Sequence, residues 1–403
     1  MRSPITDLIH HPYQPPEPFA APQPAVHKAS TVFFSDVAAM RARDWKTKAG
    51  YTYGLHGTPT SFTLEERLAS LEGGTECLLV PSGLAAISLV SFAMLKSGDE
   101  FLLPDNAYGP NKALAAGELA NFGITHRLYD ATDPSDLAAK LSDRTKLVWL
   151  EAAGSVTMEF PDLRALAAMC RDRGVVTVLD NTWGAGLAFP PFDLDGQGRG
   201  VDISAHALTK YPSGGGDVLM GSVTTRDERL HRALKLTHMR MGFGVGMGDV
   251  ETLLRSLPSI ELRYDAHDRS ARELARWLAQ RGEIAQVLHP ALEGSPGHDH
   301  WRALCGAVDG DPASGRAAGL FSVVFDERYS SEQVDRFCDS LRLFRLGYSW
   351  GGAISLVVPY DIGLMRDETV SHWPHKGSLV RFSIGLEAAA DLQADLAQAL
   401  DAL

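Results

Sequence analysis

Lys210 ends the mostly apolar run Ile203-Ser204-Ala205-His206-Ala207-Leu208-Thr209 and precedes Tyr211-Pro212-Ser213 and the glycines Gly214, Gly215 and Gly216. Such a run reads as a buried strand, where an unpaired ammonium is costly. Two readings meet that cost. The side chain snorkels out of the strand end into water, or the amine sits where desolvation lowers its pKa and frees it as a nucleophile. Other residues bear on the choice. Pro81-Ser82-Gly83-Leu84 joins an apolar strand to a helix, so backbone N–H groups at the helix start can approach an anion such as a phosphate. Asp180 ends the apolar run Val176-Thr177-Val178-Leu179, at the strand end where α/β proteins place ligands. The plainer reading of Asp180 is a cap on the next turn. Tyr108, after another apolar strand, offers its ring either to packing or to stacking on a ligand. Arg381 lies in Leu379-Val380-Arg381-Phe382, and a buried guanidinium needs a planar anion, either a structural carboxylate or that of an amino acid.

An activated amine, a phosphate turn, a carboxylate and an aromatic face together suit pyridoxal 5'-phosphate (PLP). Lys210 would form the Schiff base, and Asp180 would keep the pyridine nitrogen protonated so that the ring acts as an electron sink. Other familiar sites are missing. Gly242-Phe243-Gly244-Val245-Gly246-Met247-Gly248 does not fit GxGxxG and follows a polar helix, and no P-loop, HExxH or GxSxG occurs. His298-Asp299-His300 falls in a Gly/Ser/Pro-rich stretch and reads as solvated loop histidines, so no metal is expected.

These residues need a scaffold, and 403 residues with 45% hydrophobic and 22% charged content can bury a large core in two or three domains. A net charge of −12 argues against a nucleic-acid or anionic-membrane partner. Cys77, Cys170, Cys305 and Cys338 form no CxxC pair and read as buried thiols of a reducing compartment. No signal peptide is evident, so a cytoplasmic enzyme is expected. Leu78 to Leu95 is uncharged, but Pro81-Ser82-Gly83 breaks it into a strand and a helix rather than a membrane span.

Residues 1–50 read as an extended arm, since the seven prolines among the first 24 residues oppose helix and sheet. From 51 to about 245 the pattern alternates. Helix is expected over 63–71, with a capping box at Thr63-Leu64-Glu65-Glu66, and over 84–95, 112–121 and 163–171. Strands are expected over 77–80, 100–103, 146–150 and 175–179. That alternation predicts an α/β domain with a mostly parallel sheet. From 246 to 403, helices over 250–257, 264–281 and 386–402 and strands over 319–325 and 353–358 predict a smaller α+β domain.

Several segments match, in order, those of a known family: Tyr53-Gly54-Leu55-His56-Gly57-Thr58, Leu71-Glu72-Gly73-Gly74, Ser82-Gly83, Tyr108, Asp180-Asn181-Thr182-Trp183, Thr209-Lys210-Tyr211, His289-Pro290-Ala291-Leu292, Ser349-Trp350-Gly351-Gly352 and Arg381 with Ile384-Gly385-Leu386-Glu387. From about residue 25 onward the chain resembles the Cys/Met-metabolism PLP enzymes, the gamma family of fold type I. The resemblance implies a seven-stranded sheet in the large domain and a homotetramer of two dimers with shared sites. It implies Lys210, Tyr108 and Tyr53 as catalytic residues. It implies cofactor contacts from Tyr53, Ser82, Gly83, Leu84, Tyr108, Ser155, Asp180, Thr209 and Lys210, and a substrate site of Ser349, Trp350 and Arg381.

Within the family, Ser155 in Gly154-Ser155-Val156-Thr157-Met158-Glu159, Trp350 and the loop Gly294-Ser295-Pro296-Gly297-His298 resemble the β-lyase branch. The γ-enzymes usually carry Asn and Leu at the first two positions. The implied reaction is α,β-elimination of L-cystathionine to homocysteine, pyruvate and ammonia, a step of methionine biosynthesis. The alternatives are γ-elimination or γ-replacement, or cleavage of cysteine or cystine. Three positions depart from the family. Leu55 stands where an Arg usually reaches a neighbouring subunit's phosphate, Ala207 where a Ser usually binds phosphate, and Ile354 where a Glu is usual. One lost charge-assisted contact is worth about 1.5–3 kcal/mol. His56 and Lys48 are the cations that stand nearest in sequence to replace it.

Overall fold

The computed structural model describes residues 3–10, 18, 21–306 and 315–403. A seven-stranded sheet is built from β1 (Glu76–Val80), β2 (Glu100–Pro104), β3 (Thr125–Tyr129), β4 (Thr145–Glu151), β5 (Val176–Asp180), β6 (Ile203–Ala207) and β7 (Gly221–Thr225), in the order β1-β7-β6-β5-β4-β2-β3. The four pairings from β6 across to β3 are parallel. Strand β7 runs antiparallel to both its neighbours, β1 and β6. The sheet is therefore mostly parallel, and its central runs are largely apolar, as in Phe101-Leu102-Leu103, because both faces are covered.

A second, smaller sheet is mostly antiparallel. It has the order β10-β11-β12-β9-β8, from β8 (Ile284–Leu288), β9 (Leu320–Phe325), β10 (Arg345–Leu346), β11 (Leu356–Tyr360) and β12 (Leu379–Ser383). One face packs on the helices Ile260–Leu278, Ser331–Ser340 and Ala389–Leu400 around Phe321, Phe337 and Phe382. Among the described residues no helix is long and apolar enough to cross a membrane.

Three local expectations are corrected. The arm is not extended from its start, because Pro4–Ile9 is helical, with Ser3 accepting from the Thr6 N–H and Leu8 fully buried. Proline opposes helix in the interior, but it suits the first turn, where its missing N–H costs nothing. The prolines at 12, 15 and 16 lie outside the described residues. The helix expected over 63–71 spans Pro59–Glu72, and its capping box is Thr58 with Ser61, a turn before Thr63. His298 and His300 do not sit in a loop; they open the helix His298–Cys305, with His298 Nδ1 2.9 Å from the Pro290 carbonyl.

Candidate active site

Strands β4, β5 and β6 end side by side, and their last residues line one cavity together with the start of the helix Gly83–Met94. The cavity gathers Ser82, Gly83, Leu84, Tyr108, Ser155, Asp180, Thr209, Lys210, Trp350 and Arg381. Tyr53 and Ser349 are not among its lining residues. Tyr53 is 46% exposed, with its ring edge-on to His56, so one chain does not bring it to the cavity. Ser349 holds a positive φ of 92° in the turn that presents Trp350.

Lys210 is fixed through the residue after it. The Tyr211 ring is buried against Tyr264, 4.7 Å between centroids, and its hydroxyl accepts from the Gly319 N–H at 2.8 Å. Gly351 lets the Trp350 turn lie on this backbone: φ is +78°, and a Cβ there would come within 2.8 Å of Tyr211 N. Lys210 Nζ consequently sits 4.9 Å from the Trp350 ring centre. The Arg381 guanidinium lies 5.4 Å from the same ring and 5.2 Å from that of Tyr360. Burial, reinforced by the Arg381 charge and opposed by Asp180, lowers the Lys210 pKa to about 8.

Among the described residues Asp180 is anchored by one oxygen only. Its Oδ1 accepts from the Thr182 hydroxyl at 2.6 Å and the Thr182 N–H at 3.0 Å. The Thr182 hydroxyl oxygen also accepts from the Ala207 N–H at 3.0 Å, tying β5 to β6. Burial pushes the Asp180 carboxyl up, and the hydrogen bonds from Thr182 only partly offset it. Such a carboxylate is stabilised by a cation brought to its second oxygen. Ser82 caps the Gly83–Met94 helix by accepting from the Ala85 N–H at 3.0 Å. A Cβ on Gly83 would come within 2.6 Å of the Ala207 Cβ, so the turn lies tight against the end of β6. Thr209 exchanges hydrogen bonds of 3.3 Å with the Met220 backbone.

PLP fits this donor set. An amine of lowered pKa, a carboxylate with one oxygen unbonded among the described residues, a helix N-terminus over a glycine turn and the 38%-exposed Tyr108 ring face one cavity. The cations offered as replacements at the phosphate are committed elsewhere. Lys48 pairs with Glu65 at 3.1 Å and Glu76 at 3.8 Å, and His56 Nδ1 lies 2.7 Å from the Thr52 hydroxyl.

Sequence reasoning missed several residues here. Glu151 ends β4 in register with Asp180 of β5, and its Oε2 accepts the Tyr108 N–H at 2.8 Å. The strand-end rule that found Asp180 applies equally to Glu151. Glu72 lies behind the site, its Oε1 accepting from Asn181 at 3.0 Å and Ser204 at 2.8 Å, with His206 Nδ1 3.8 Å away. Asp105, Glu159 and Arg366 form a further buried group; Asp105 follows β2 and Glu159 ends the Ser155 segment, but nothing local marks Arg366 in sequence.

Residues 5–401 match the family described as Cys/Met metabolism PLP-dependent enzyme. The chain is 37% identical to a cystathionine beta-lyase of Bordetella avium, over 98% of this chain and 97% of that one. It is 33% identical to the cystathionine beta-lyase MetC of Escherichia coli K12, over 92% and 91%. The crystal structure of metB from Corynebacterium glutamicum superimposes with a TM-score of 0.86 at 28% identity, covering 100% of this chain and 98% of that one.

Proposed function

The chain belongs to the Cys/Met metabolism PLP-dependent enzymes, and from that premise we propose that it is a carbon–sulfur lyase performing α,β-elimination on L-cystathionine. The products are homocysteine, pyruvate and ammonia. The observation that carries the reading is the grouping of Lys210, Trp350 and Arg381: the amine and the guanidinium lie 4.9 Å and 5.4 Å from the centre of the same indole ring. Relatives named cystathionine beta-lyase match nearly the whole chain.

Bound PLP supplies an aldehyde that takes up amines and a ring that accepts the electrons of a bond broken at Cα. The chain's residues do the rest. Lys210 Nζ would hold the aldehyde covalently, and as a free amine it would take the α-proton. Asp180 would keep the ring nitrogen protonated, Tyr108 would stack on the ring, and Ser155, in the same cavity, would help to hold it. The N–H groups of Ser82, Gly83 and Leu84, with Thr209, take the phosphate. Arg381 takes the α-carboxylate, aided by Trp350, whose buried Nε1 donates to nothing among the described residues. With PLP bound, cleavage of the Cβ–S bond would release the thiolate, Lys210 or a tyrosine would give it a proton, and water would convert the three-carbon fragment to pyruvate and ammonia.

Our division is an arm over 1–50, a cofactor domain over 51–245 and a C-terminal domain over 246–403. Four buried free cysteines support a cytoplasmic setting. Tyr53 lies outside its own chain's cavity and Phe33 is almost fully exposed, which supports a homo-oligomer, a dimer of dimers, in which Tyr53 reaches a neighbour's site.

Product analysis tests the activity. With cystathionine the enzyme is expected to release pyruvate and homocysteine in equal amounts. Release of 2-oxobutyrate and cysteine instead, or rapid turnover of O-acetylhomoserine, would move it to the γ-branch. Preference for cystine would make it a cystine lyase.

A further inference from the structure

Arg366 belongs to the connection between β11 and β12, yet its guanidinium is buried in the large domain, 7% exposed. Its Nε donates to Asp105 Oδ2 at 2.7 Å, and Nη1 donates to Glu159 Oε1 at 2.8 Å. Nη2 donates to the Ser371 hydroxyl at 2.7 Å, and that hydroxyl donates to Asp105 Oδ2 at 2.5 Å. The Asp367 N–H adds 3.0 Å to Asp105 Oδ1. Lys112 donates to the carbonyls of Asp105 and Met365, one on each side of the junction. Two cations and two carboxylates close the group, so its formal charge balances.

Both carboxylates belong to loops that serve the cofactor site. Asp105 opens the turn that carries Tyr108. Glu159 closes the loop that carries Ser155, with its Oε2 accepting from Asn106 Nδ2 at 3.1 Å and the Thr157 hydroxyl at 2.5 Å. The loops also join directly, the Ser155 N–H donating to the Asn106 carbonyl at 2.9 Å. Arg366 is thus the common cap of both. The segment that supplies it runs between β11 and β12, and β12 carries Arg381. A bidentate fork suits this place, because a lysine's point charge would satisfy one carboxylate and leave the other buried and unpaired.

We propose that Arg366, with Asp105 and Glu159, is a latch that positions the Tyr108 ring and the Ser155 loop from the C-terminal domain, joining the cofactor face to the strand that bears Arg381. The inference rests on Tyr108 covering the bound cofactor, as in the proposed function.

Arg366→Met leaves two buried carboxylates unpaired and is expected to fold poorly. The informative variant is the triple Arg366→Met, Asp105→Asn, Glu159→Gln, which removes three of the four charges at nearly constant shape and leaves Lys112 on its two carbonyls. Cofactor dissociation constants and the visible-region circular dichroism of bound PLP are measured without substrate, so a wrong assignment of the amino acid cannot disturb them. The triple variant is expected to keep the far-ultraviolet spectrum, bind PLP about five- to tenfold more weakly, as expected when an aromatic contact is lost, and show an altered visible dichroism. In a Tyr108→Ala background the same three substitutions are expected to weaken PLP by less than about twofold, since the ring they position is gone. Native affinity in the triple variant, or losses that simply multiply with that of Tyr108→Ala, would reduce the group to a structural ion cluster and overturn the proposal.

Discussion

Lys210→Ala is expected to lower turnover to below about one thousandth of the wild-type rate, since general acid–base catalysis alone contributes about 10²–10⁴-fold and the same side chain is also the nucleophile. The visible absorbance of covalently held PLP should vanish while the fold persists, because Lys210 makes no ion pair among the described residues and lies against the Trp350 ring. An active, coloured Lys210→Ala protein would end the assignment. The pH dependence gives a second reading of the same residue. Only the neutral amine captures an aldehyde. With the pKa lowered to about 8, first by burial and then by Arg381, roughly a quarter of the amines are neutral at pH 7.5, against about one in a thousand for an ordinary lysine. Capture of PLP by cofactor-free protein should therefore rise as pH climbs through about 8 and level off above it. Asp180 acts in the opposite sense. Asp180→Asn should move the midpoint down and Arg381→Leu should move it up, both seen by stopped-flow absorbance. A midpoint that ignores both substitutions would place Lys210 elsewhere.

What could be read beforehand divides by the range of the signal. Lys210, Asp180 and the Ser82-Gly83 turn were legible because each sits at the end of a buried strand, and strand ends in α/β folds converge by topology. Strands β1, β2, β4 and β5 show as apolar runs, whereas β3, Thr125–Tyr129, at the sheet edge has three half-buried residues in a row, including Arg127, and β7, Gly221–Thr225, is rich in Ser and Thr, so neither carries that signal. The Pro4–Ile9 helix was missed although Ser3 and Pro4 together form a helix start; the count of prolines outweighed their positions. Arg366 had no such signal. Its partner Asp105 is 261 residues away, and a guanidinium in an irregular connection reads as solvated until tertiary structure closes over it. Leu55 illustrates a further limit. The structure gives Lys48 the partners Glu65 and Glu76 and sets His56 Nδ1 beside the Thr52 hydroxyl, contacts that no spacing rule reveals.

Arg381→Leu is expected to raise the KM for cystathionine by roughly 10- to 150-fold, the equivalent of about 1.5–3 kcal/mol for a charge-assisted pair to a carboxylate. The same substitution should leave thermal stability unchanged or improve it, and that combination is diagnostic. Arg381 is 5% exposed in β12 and has no acidic partner among the described residues; the Trp350 and Tyr360 rings flank it instead. A buried guanidinium without an anion is a burden on the folded state, and an apolar residue of similar length relieves it. A structural arginine behaves in the opposite way, since its removal strands a carboxylate and destabilises the fold. Burial holds the Arg381 pKa below its usual value, which is the mark of a cation waiting for its counter-ion. Arg381→Lys keeps the charge but loses the fork, so it should recover only part of the KM. Steady-state kinetics on cystathionine beside thermal melts of the same samples separate the cases. A melting temperature lowered by several degrees with an unchanged KM would make Arg381 part of the core and require another carboxylate site. A raised KM with a steady or higher melting temperature would mark a position where the empty protein carries strain that the substrate carboxylate relieves.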